Sequence, residues 1–258
     1  MARSVTWLMV LAALAGCEGQ VSLESQQLLA AGKADYDRGD DAQAIKDLSG
    51  FIAANPKTPI SDEAYYYRGR ARMDANDMAA ARSDLDQAMI MTRDRDLRAS
   101  ASILLGDILS RQKDLAGAQR MYRGAIDNMD GAHPPLDYAL FQLGCVLQRT
   151  GQWKQADAQF DRVIFLFDGQ PVARLAAQRI RATAWTIHLA MLDSKAAADG
   201  MAASLGLQKP ALEVRPIKKD SRLLFAVQAG RFNTYDEALV ALPNLQAQHP
   251  KAAIVETR

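Results

Sequence analysis

Small and large apolar residues recur at fixed spacings along the first two thirds of the chain. Four glycines are separated by 37, 37 and 38 residues; an alanine follows each glycine by twelve positions and a large apolar residue follows it by sixteen. The glycines are Gly32, Gly69, Gly106 and Gly144, the alanines Ala44, Ala81, Ala118 and Ala156, and the large residues Leu48, Leu85, Tyr122 and Phe160. Such a period predicts stacked pairs of antiparallel helices, in which the glycine and the alanine face each other and the large residue fills the space beside them.

The residue seven positions after each glycine is placed to end the first helix of each pair. These residues are Gly39, Asn76, Lys113 and Gly151. Glycine and asparagine tolerate the left-handed backbone that terminates helices, whereas Lys113 departs from the pattern. We expect four helix pairs over residues 22–168 and a capping helix from Pro171 to about Arg181.

This spacing resembles the tetratricopeptide repeat (TPR), whose period is about 34 residues. The resemblance implies that a protein partner binds the concave side, mostly along the first helix of each pair. Aromatic residues interleaved with charged ones suit an extended peptide, although aromatic residues in solenoids also pack between repeats. The expected groove residues are Lys33, Tyr36, Tyr66, Arg70, Asp107, Tyr138 and Phe141.

A second internal repeat, with an offset of forty residues, begins after Arg181. Residues 185–190 match 225–230 in their order of apolar and polar positions, and Asp193-Ser194 matches Asn233-Thr234. Each half predicts a strand, a helix and a strand, because alternating β-branched residues precede a helix N-cap. The expected helices are Lys195 to Leu205 and Tyr235 to Gln248, and the closing strands are Leu212 to Ile217 and Ala252 to Thr257. Two such halves predict a ferredoxin-like sheet with both helices on one face.

A fifth helical repeat is an alternative for the first part of this region. Residues 171–192 could form one long helix, with Ala182 at the glycine position and Ser194 at the alanine position. The following turn lacks a glycine, and residues 183–189 are rich in strand-forming residues, so the strand is favoured.

The segment Phe225-Ala226-Val227-Gln228-Ala229-Gly230-Arg231-Phe232 resembles the aromatic-x-Val-Gln-x-Gly-x-Phe element of SPOR domains. Residues 236–238 and 253–255 extend the resemblance, which covers residues 183–258. It implies binding of peptidoglycan glycan strands stripped of their stem peptides, on the sheet face that carries no helix.

The side chains expected on that face supply hydrogen-bond donors and acceptors for sugar hydroxyls and acetamido groups. They are Thr186, His188, Arg215, Gln228 and Arg231. His188 stands where the family usually has glutamine, and it can still donate one hydrogen bond and accept another. A SPOR-like fold that has lost its ligand is the alternative.

The first residues resemble a bacterial lipoprotein signal. Arg3 is followed by an apolar stretch from Val5 to Leu14, interrupted only by Thr6, and then by Ala15-Gly16-Cys17. The stretch is too short to span a bilayer, and it is typical of a secretory signal peptide. The resemblance implies lipidation of Cys17, and the glutamate that follows favours the outer membrane, with the protein facing the periplasm.

The expected fold class is therefore mainly α, with a TPR-like solenoid followed by a small α+β domain. The expected divisions are a signal peptide at 1–16, a lipidated tether at 17–21, a solenoid at 22–182 and a SPOR-like domain at 183–258.

The composition and the absence of catalytic motifs exclude several classes of function. The net charge of +1 argues against nucleic acid as a partner, and two cysteines are too few for a disulfide framework. The chain has no HExxH, GxxxxGK[ST], GxSxG or CxxC motif, so we expect no enzyme activity, cofactor or metal.

The sequence predicts a lipid-anchored adaptor between the cell wall and a protein partner, in cell division or envelope maintenance. A TPR scaffold for envelope assembly or secretion, and a regulator of a cell-wall hydrolase, are the alternatives.

Overall fold

The computed structural model describes residues 21–206, 210–219 and 221–257. The predicted signal peptide and the lipidation residue Cys17 lie outside these ranges. Within them, no helix combines the length and the apolarity that crossing a bilayer requires.

The chain forms two compact units, of which the first ends at Thr92 and the second begins at Arg93. Two helix pairs form the described part of the first unit: α1 (Leu23–Asp37) with α2 (Asp41–Ala54), and α3 (Ser61–Asp74) with α4 (Met78–Met91).

The second unit begins with two further helix pairs and a single helix. The pairs are α5 (Arg95–Arg111) with α6 (Leu115–Asn128), and α7 (Leu136–Arg149) with α8 (Trp153–Leu166), and α9 spans Pro171–Arg179. The remaining elements are β1 (Ala184–Leu192), α10 (Lys195–Leu205), β2 (Leu212–Lys219), β3 (Arg222–Phe232), α11 (Tyr235–Gln246) and β4 (Ala253–Thr257).

In every pair the repeated glycine faces the large residue that follows it by sixteen positions. A Cβ atom on Gly106 would lie 2.7 Å from the Tyr122 ring, and one on Gly144 would lie 2.5 Å from the Phe160 ring. Gly32 and Gly69 face Leu48 and Leu85 in the same way, and the four repeated alanines are fully buried. The large side chain therefore fills the space beside the glycine, as the repeat predicts, and at Gly69 the backbone oxygen of Ala81 also lies 3.4 Å from the added Cβ.

The turn inside each pair has the same backbone conformation whatever its residue. Gly39, Asn76, Lys113 and Gly151 all have positive φ, and Lys113 adopts 64° although its side chain disfavours that region. In the first three turns an aspartate follows and caps the second helix: Asp40, Asp77 and Asp114 each accept a hydrogen bond from a backbone N–H three residues on. Position in the repeat therefore outweighs residue type at Lys113.

The four strands form one antiparallel sheet in the order β2-β3-β1-β4. The helices α10 and α11 cover one face, where Ile187, Val227 and Leu245 are buried together. This is the predicted ferredoxin-like arrangement, so the expected fold class is confirmed. The alternative of a fifth helical repeat is wrong, because α9 ends at Arg179 and β1 begins at Ala184.

Candidate functional site

The face of the sheet opposite α10 and α11, here called the open face, carries a row of polar residues across its centre. His188 on β1 is the cross-strand partner of Gln228 on β3, and Gln228 is the partner of Glu213 on β2. Cross-strand partners project to the same side of a sheet. Since the neighbouring Ile187 and Val227 point into the core, the row lies on the open face.

Gln228 carries a buried acceptor that the described part of the chain leaves unpaired. The residue is only 6% exposed, and its Oε1 atom has no hydrogen-bond partner among the described residues. A buried polar atom without a partner costs about 1–3 kcal/mol of folding stability. Such an atom at the centre of the open face is therefore a candidate contact for a ligand's N–H or O–H group.

His188 lies beside Gln228 as a neutral imidazole at neutral pH. Burial of the ring lowers the pKa of His188 below its usual value, because desolvation disfavours the charged form. A neutral imidazole offers one donor and one acceptor. The pair His188 and Gln228 can therefore exchange hydrogen bonds with an uncharged polar ligand.

The two predicted arginines occupy different places on the sheet. Arg215 lies on the edge strand β2, and its Nη1 donates a hydrogen bond to Oγ1 of Thr257 on the opposite edge strand, β4. Arg231 is exposed at the end of β3, and its Nη2 lies 2.5 Å from Oγ1 of Thr183. Arg215 therefore belongs with the central row, whereas Arg231 lies beside the start of β1.

Thr186 was predicted among the glycan-binding residues, but the structure buries its side chain. It is only 1% exposed, and its Oγ1 donates a hydrogen bond of 2.8 Å to the carbonyl oxygen of Gly230. Gly230 has a φ of 74°, next to a register shift between β1 and β3. Thr186 therefore holds this irregular part of the sheet and does not present its hydroxyl to a ligand.

The four groove residues predicted in the first unit form one cluster between α1 and α3. The Arg70 guanidinium lies 4.4 Å from the ring centroid of Tyr36 and 5.5 Å from that of Tyr66, and Lys33 pairs with Glu63 at 2.8 Å. A residue that the sequence analysis missed completes the cluster: the Tyr67 ring lies 5.0 Å from Lys33 Nζ and 5.7 Å from Arg70. Partly exposed aromatic rings with stacked cations are suited to contact with a peptide.

In the second unit, two of the predicted groove residues contact each other. The Tyr138 hydroxyl lies 3.1 Å from both carboxylate oxygens of Asp107, and the Tyr122 hydroxyl donates to the same carboxylate at 2.5 Å. Burial raises the pKa of Asp107, and the two tyrosine hydrogen bonds oppose that rise. Asp107 therefore positions Tyr138. The Phe141 ring packs on Phe160 instead, with ring centroids 5.8 Å apart.

The sheet is joined to the last helix pair by two tryptophans that the sequence analysis did not connect. The rings of Trp153 on α8 and Trp185 on β1 lie 5.6 Å apart, and Trp153 Nε1 donates to Oδ1 of Asn233 at 3.2 Å. Arg179 on α9 pairs with Glu256 on β4 at 2.7 Å. These contacts attach α7, α8 and α9 to the sheet and enclose a cleft between them.

Cys145 lines that cleft as a free thiol. Burial raises the pKa of the Cys145 thiol to about 11, so the thiol is protonated and unreactive at neutral pH. Within the ranges that the structure describes, no group of three or more His, Cys, Asp or Glu side chains is arranged to hold a metal ion.

Comparison with protein families identifies both kinds of module. The SPOR domain family matches residues 181–256, and a tetratricopeptide repeat matches residues 138–164, which cover most of α7 and α8. The chain therefore carries a SPOR domain and a TPR repeat, and the two resemblances drawn from the sequence are confirmed. A SPOR domain indicates peptidoglycan binding, and TPR repeats indicate interaction with proteins.

Solved structures share the helical part of the fold at low sequence identity. A tetratricopeptide repeat protein from Parabacteroides merdae is 15% identical with a TM-score of 0.53, and the match covers 60% of this chain and 58% of that one. The TPR-like repeats of a putative kinesin light chain from Podosopora anserina are 14% identical with a TM-score of 0.51, covering 62% and 86%. The apo form of RapI is 12% identical with a TM-score of 0.54, covering 60% and 45%. These likenesses concern the fold alone. No curated protein matches the chain by sequence.

Proposed function

We propose that this protein is a non-enzymatic, lipid-anchored adaptor of the outer membrane. It binds peptidoglycan glycan strands through the open face of its SPOR domain and a periplasmic protein through its helical repeats, in cell division or envelope maintenance. The observation that carries the glycan part is the unpaired, buried Oε1 atom of Gln228 beside the neutral His188.

The chemistry of a glycan strand suits this row of residues. Each N-acetyl group supplies an amide N–H donor and a carbonyl acceptor, and each sugar supplies hydroxyl groups that do both. Gln228 Oε1 accepts, His188 donates and accepts, and the Arg215 guanidinium donates; Arg231, beside the start of β1, adds a further guanidinium donor next to the row. Arg215 extends from β2 towards β4 over this face, so we expect its side chain to shift when a strand binds.

The lipid anchor is supported by the sequence around Cys17, which lies outside the described residues. Each buried methylene of an acyl chain contributes about 0.8 kcal/mol, so several chains on one cysteine hold a protein firmly at the membrane. A Cys17→Ala variant should incorporate no labelled fatty acid and should leave the membrane fraction. If the variant still incorporates labelled fatty acid and stays in the membrane fraction, the anchor is elsewhere.

The glycan proposal is tested by co-sedimentation of the lipid-free chain with purified peptidoglycan. Because the SPOR domain is packed against α7, α8 and α9, the experiment uses the whole chain after Cys17. We expect stronger pelleting with peptidoglycan that an amidase has stripped of stem peptides than with intact peptidoglycan. A folded chain that pellets with neither would contradict the proposal and favour a TPR scaffold with a non-binding terminal domain.

A further inference from the structure

A cleft of about 560 Å³ lies between the last helix pair and the sheet. Its lining comes from α7 and α9 on one side and from β1, β4 and the start of α11 on the other. The lining residues that matter here are Phe141, Arg149, Arg179, Trp185, Tyr235 and Glu256. We call this space the junction cleft.

Aromatic rings form the walls of the junction cleft, and the two guanidinium groups lie against them. The rings of Trp185 and Tyr235 meet edge to face with centroids 5.0 Å apart. Arg149 lies 5.1 Å from the Tyr235 ring, and Arg179 lies 5.9 Å from the Phe141 ring. Guanidinium groups stacked on aromatic rings are held in place and keep their in-plane N–H donors free for other partners.

The charges lining the junction cleft are not balanced. Arg179 is neutralised by Glu256, whose carboxylate lies 2.7 Å away. Arg149 also lines the cleft, and its buried Nε has no hydrogen-bond partner among the described residues. One positive charge thus remains, beside an unpaired donor and apolar walls. A carboxylate would supply both the missing charge and the missing acceptor.

The walls of the junction cleft are held in place by hydrogen bonds that do not involve Arg149. Trp185 Nε1 donates to the carbonyl oxygen of Gln148 at 3.0 Å, and the Gln148 side chain donates to the carbonyl oxygen of Arg179 at 3.0 Å. A ligand therefore meets walls that are already positioned, which reduces the entropy lost on binding.

The junction cleft and the open face lie on opposite sides of the sheet. Glu256 is the cross-strand partner of Trp185, and Ile254 is the partner of Ile187, which points into the core beneath α10 and α11. A ligand in the cleft thus does not cover the open face, on which His188 and Gln228 lie. Occupation of the two sites at the same time is sterically possible.

We propose that the junction cleft binds a carboxylate of the protein partner, carried by an acidic side chain or a C-terminus next to an apolar side chain. The proposal rests on the proposed binding of a protein by the repeats, and it names the chemistry that the partner must present. The aromatic walls can accept an apolar side chain next to the carboxylate, and the uncompensated charge of Arg149 selects an acidic peptide.

The test begins with a bead library of random ten-residue peptides with free C-termini, selected against the lipid-free chain. Enriched peptides are synthesised, and their affinities are measured by fluorescence polarisation at two salt concentrations. We expect each peptide to require a carboxylate. Replacing the acidic side chain by its amide, or amidating the C-terminus, should weaken binding at least about tenfold. Enrichment of peptides that bind equally well without a carboxylate would overturn the proposal.

Variants then locate the binding site. Arg149→Gln should weaken binding about tenfold or more, whereas Arg174→Gln, which changes an exposed arginine of α9, should leave the affinity unchanged. Gln142→Glu, which adds a negative charge to the lining, provides a second variant if Arg149→Gln proves unstable. Equal affinity for both folded cleft variants and the wild type would overturn the proposal.

Two outcomes separate this inference from the proposed function. If Arg70→Ala abolishes peptide binding and the cleft variants do not, the partner binds the first unit. That result would overturn the proposal for the junction cleft but would still agree with an adaptor role. Binding of soluble peptidoglycan fragments that depends on Arg149, without any peptide binding, would assign the cleft to a glycan and overturn the proposal. Sedimentation of Arg149→Gln with peptidoglycan, measured in parallel, reports on the open face separately.

Discussion

The indole N–H of Trp185, on the first strand of the sheet, donates a 3.0 Å hydrogen bond to the carbonyl oxygen of Gln148, near the end of α7. Carbonyl groups in the last turn of a helix lack intrahelical partners. This one also accepts from the backbone N–H of Gly151, so the turn between α7 and α8 and the start of the sheet share one acceptor. The SPOR domain and the last TPR repeat are thereby joined within one compact unit.

Substitution of Trp185 should therefore destabilise the whole second unit. Trp185→Phe removes the hydrogen bond and should cost about 0.5–1.5 kcal/mol. Trp185→Ala also removes a buried ring and should cost about 3–5 kcal/mol. Urea denaturation followed by circular dichroism measures both, and a double-mutant cycle with Trp153→Ala should reveal coupling of about 0.5–1.5 kcal/mol. If the effects of the two substitutions on the free energy of unfolding are additive, the contact between Trp153 and Trp185 is contradicted.

The glycine of each repeat is expected to be intolerant of a methyl group. Gly106→Ala places a Cβ 2.7 Å from the Tyr122 ring and should destabilise the protein by about 1–3 kcal/mol. Gly124→Ala is the matched control, because no atom lies within 4 Å of its added Cβ, and alanine favours the helix by about 0.5–1 kcal/mol. Thermal unfolding should shift in opposite directions for the two variants, and a shift in the same direction would contradict this packing.

His188 should make the stability fall as the pH is lowered. Burial lowers its pKa in the folded protein, so the unfolded chain binds the proton more readily. The loss begins as the pH falls through the unfolded-state pKa of about 6.5. The free energies of unfolding of the wild type and His188→Gln, compared between pH 8 and pH 5, isolate this effect. The wild type should lose more stability than the variant, and parallel curves would show that His188 is not desolvated.

Gln228→Met should stabilise the protein. Methionine keeps the length of the side chain and removes the unpaired Oε1, which costs about 1–3 kcal/mol in its buried position. Gln155→Met, at an exposed position on α8, is the control and should change the free energy of unfolding little. Destabilisation by Gln228→Met would mean that the amide has a partner inside the folded protein.

Repeat spacing predicted the helical part of the fold because each position recurs four times. The left-handed turn at Lys113 illustrates this, since the repeat predicts the turn while the residue type argues against it. Alternation along β1 likewise placed His188 on the open face. Alternation could not predict the register shift between Trp185 and Ile187. Nor could it predict the shift between His188 and Ala190, which puts Met191 instead of Ala190 on the same side as Arg215.

The junction cleft could not be predicted from local patterns. Its defining contacts join residues that are 37 positions apart, as in Gln148 and Trp185, or 77 apart, as in Arg179 and Glu256. No periodicity links these pairs, and each side chain also has an ordinary role within its own element. Only the docking of the sheet on α7, α8 and α9 brings Arg149 into a cleft whose one lining carboxylate, that of Glu256, pairs with Arg179.

The central claim is tested most directly by sedimentation of Gln228→Met with amidase-treated peptidoglycan, beside the wild type and Gln155→Met. The account predicts that the variant is folded and more stable than the wild type, yet pellets far less, while the control pellets fully. A stable Gln228→Met chain that pellets like the wild type would contradict a glycan site on the open face.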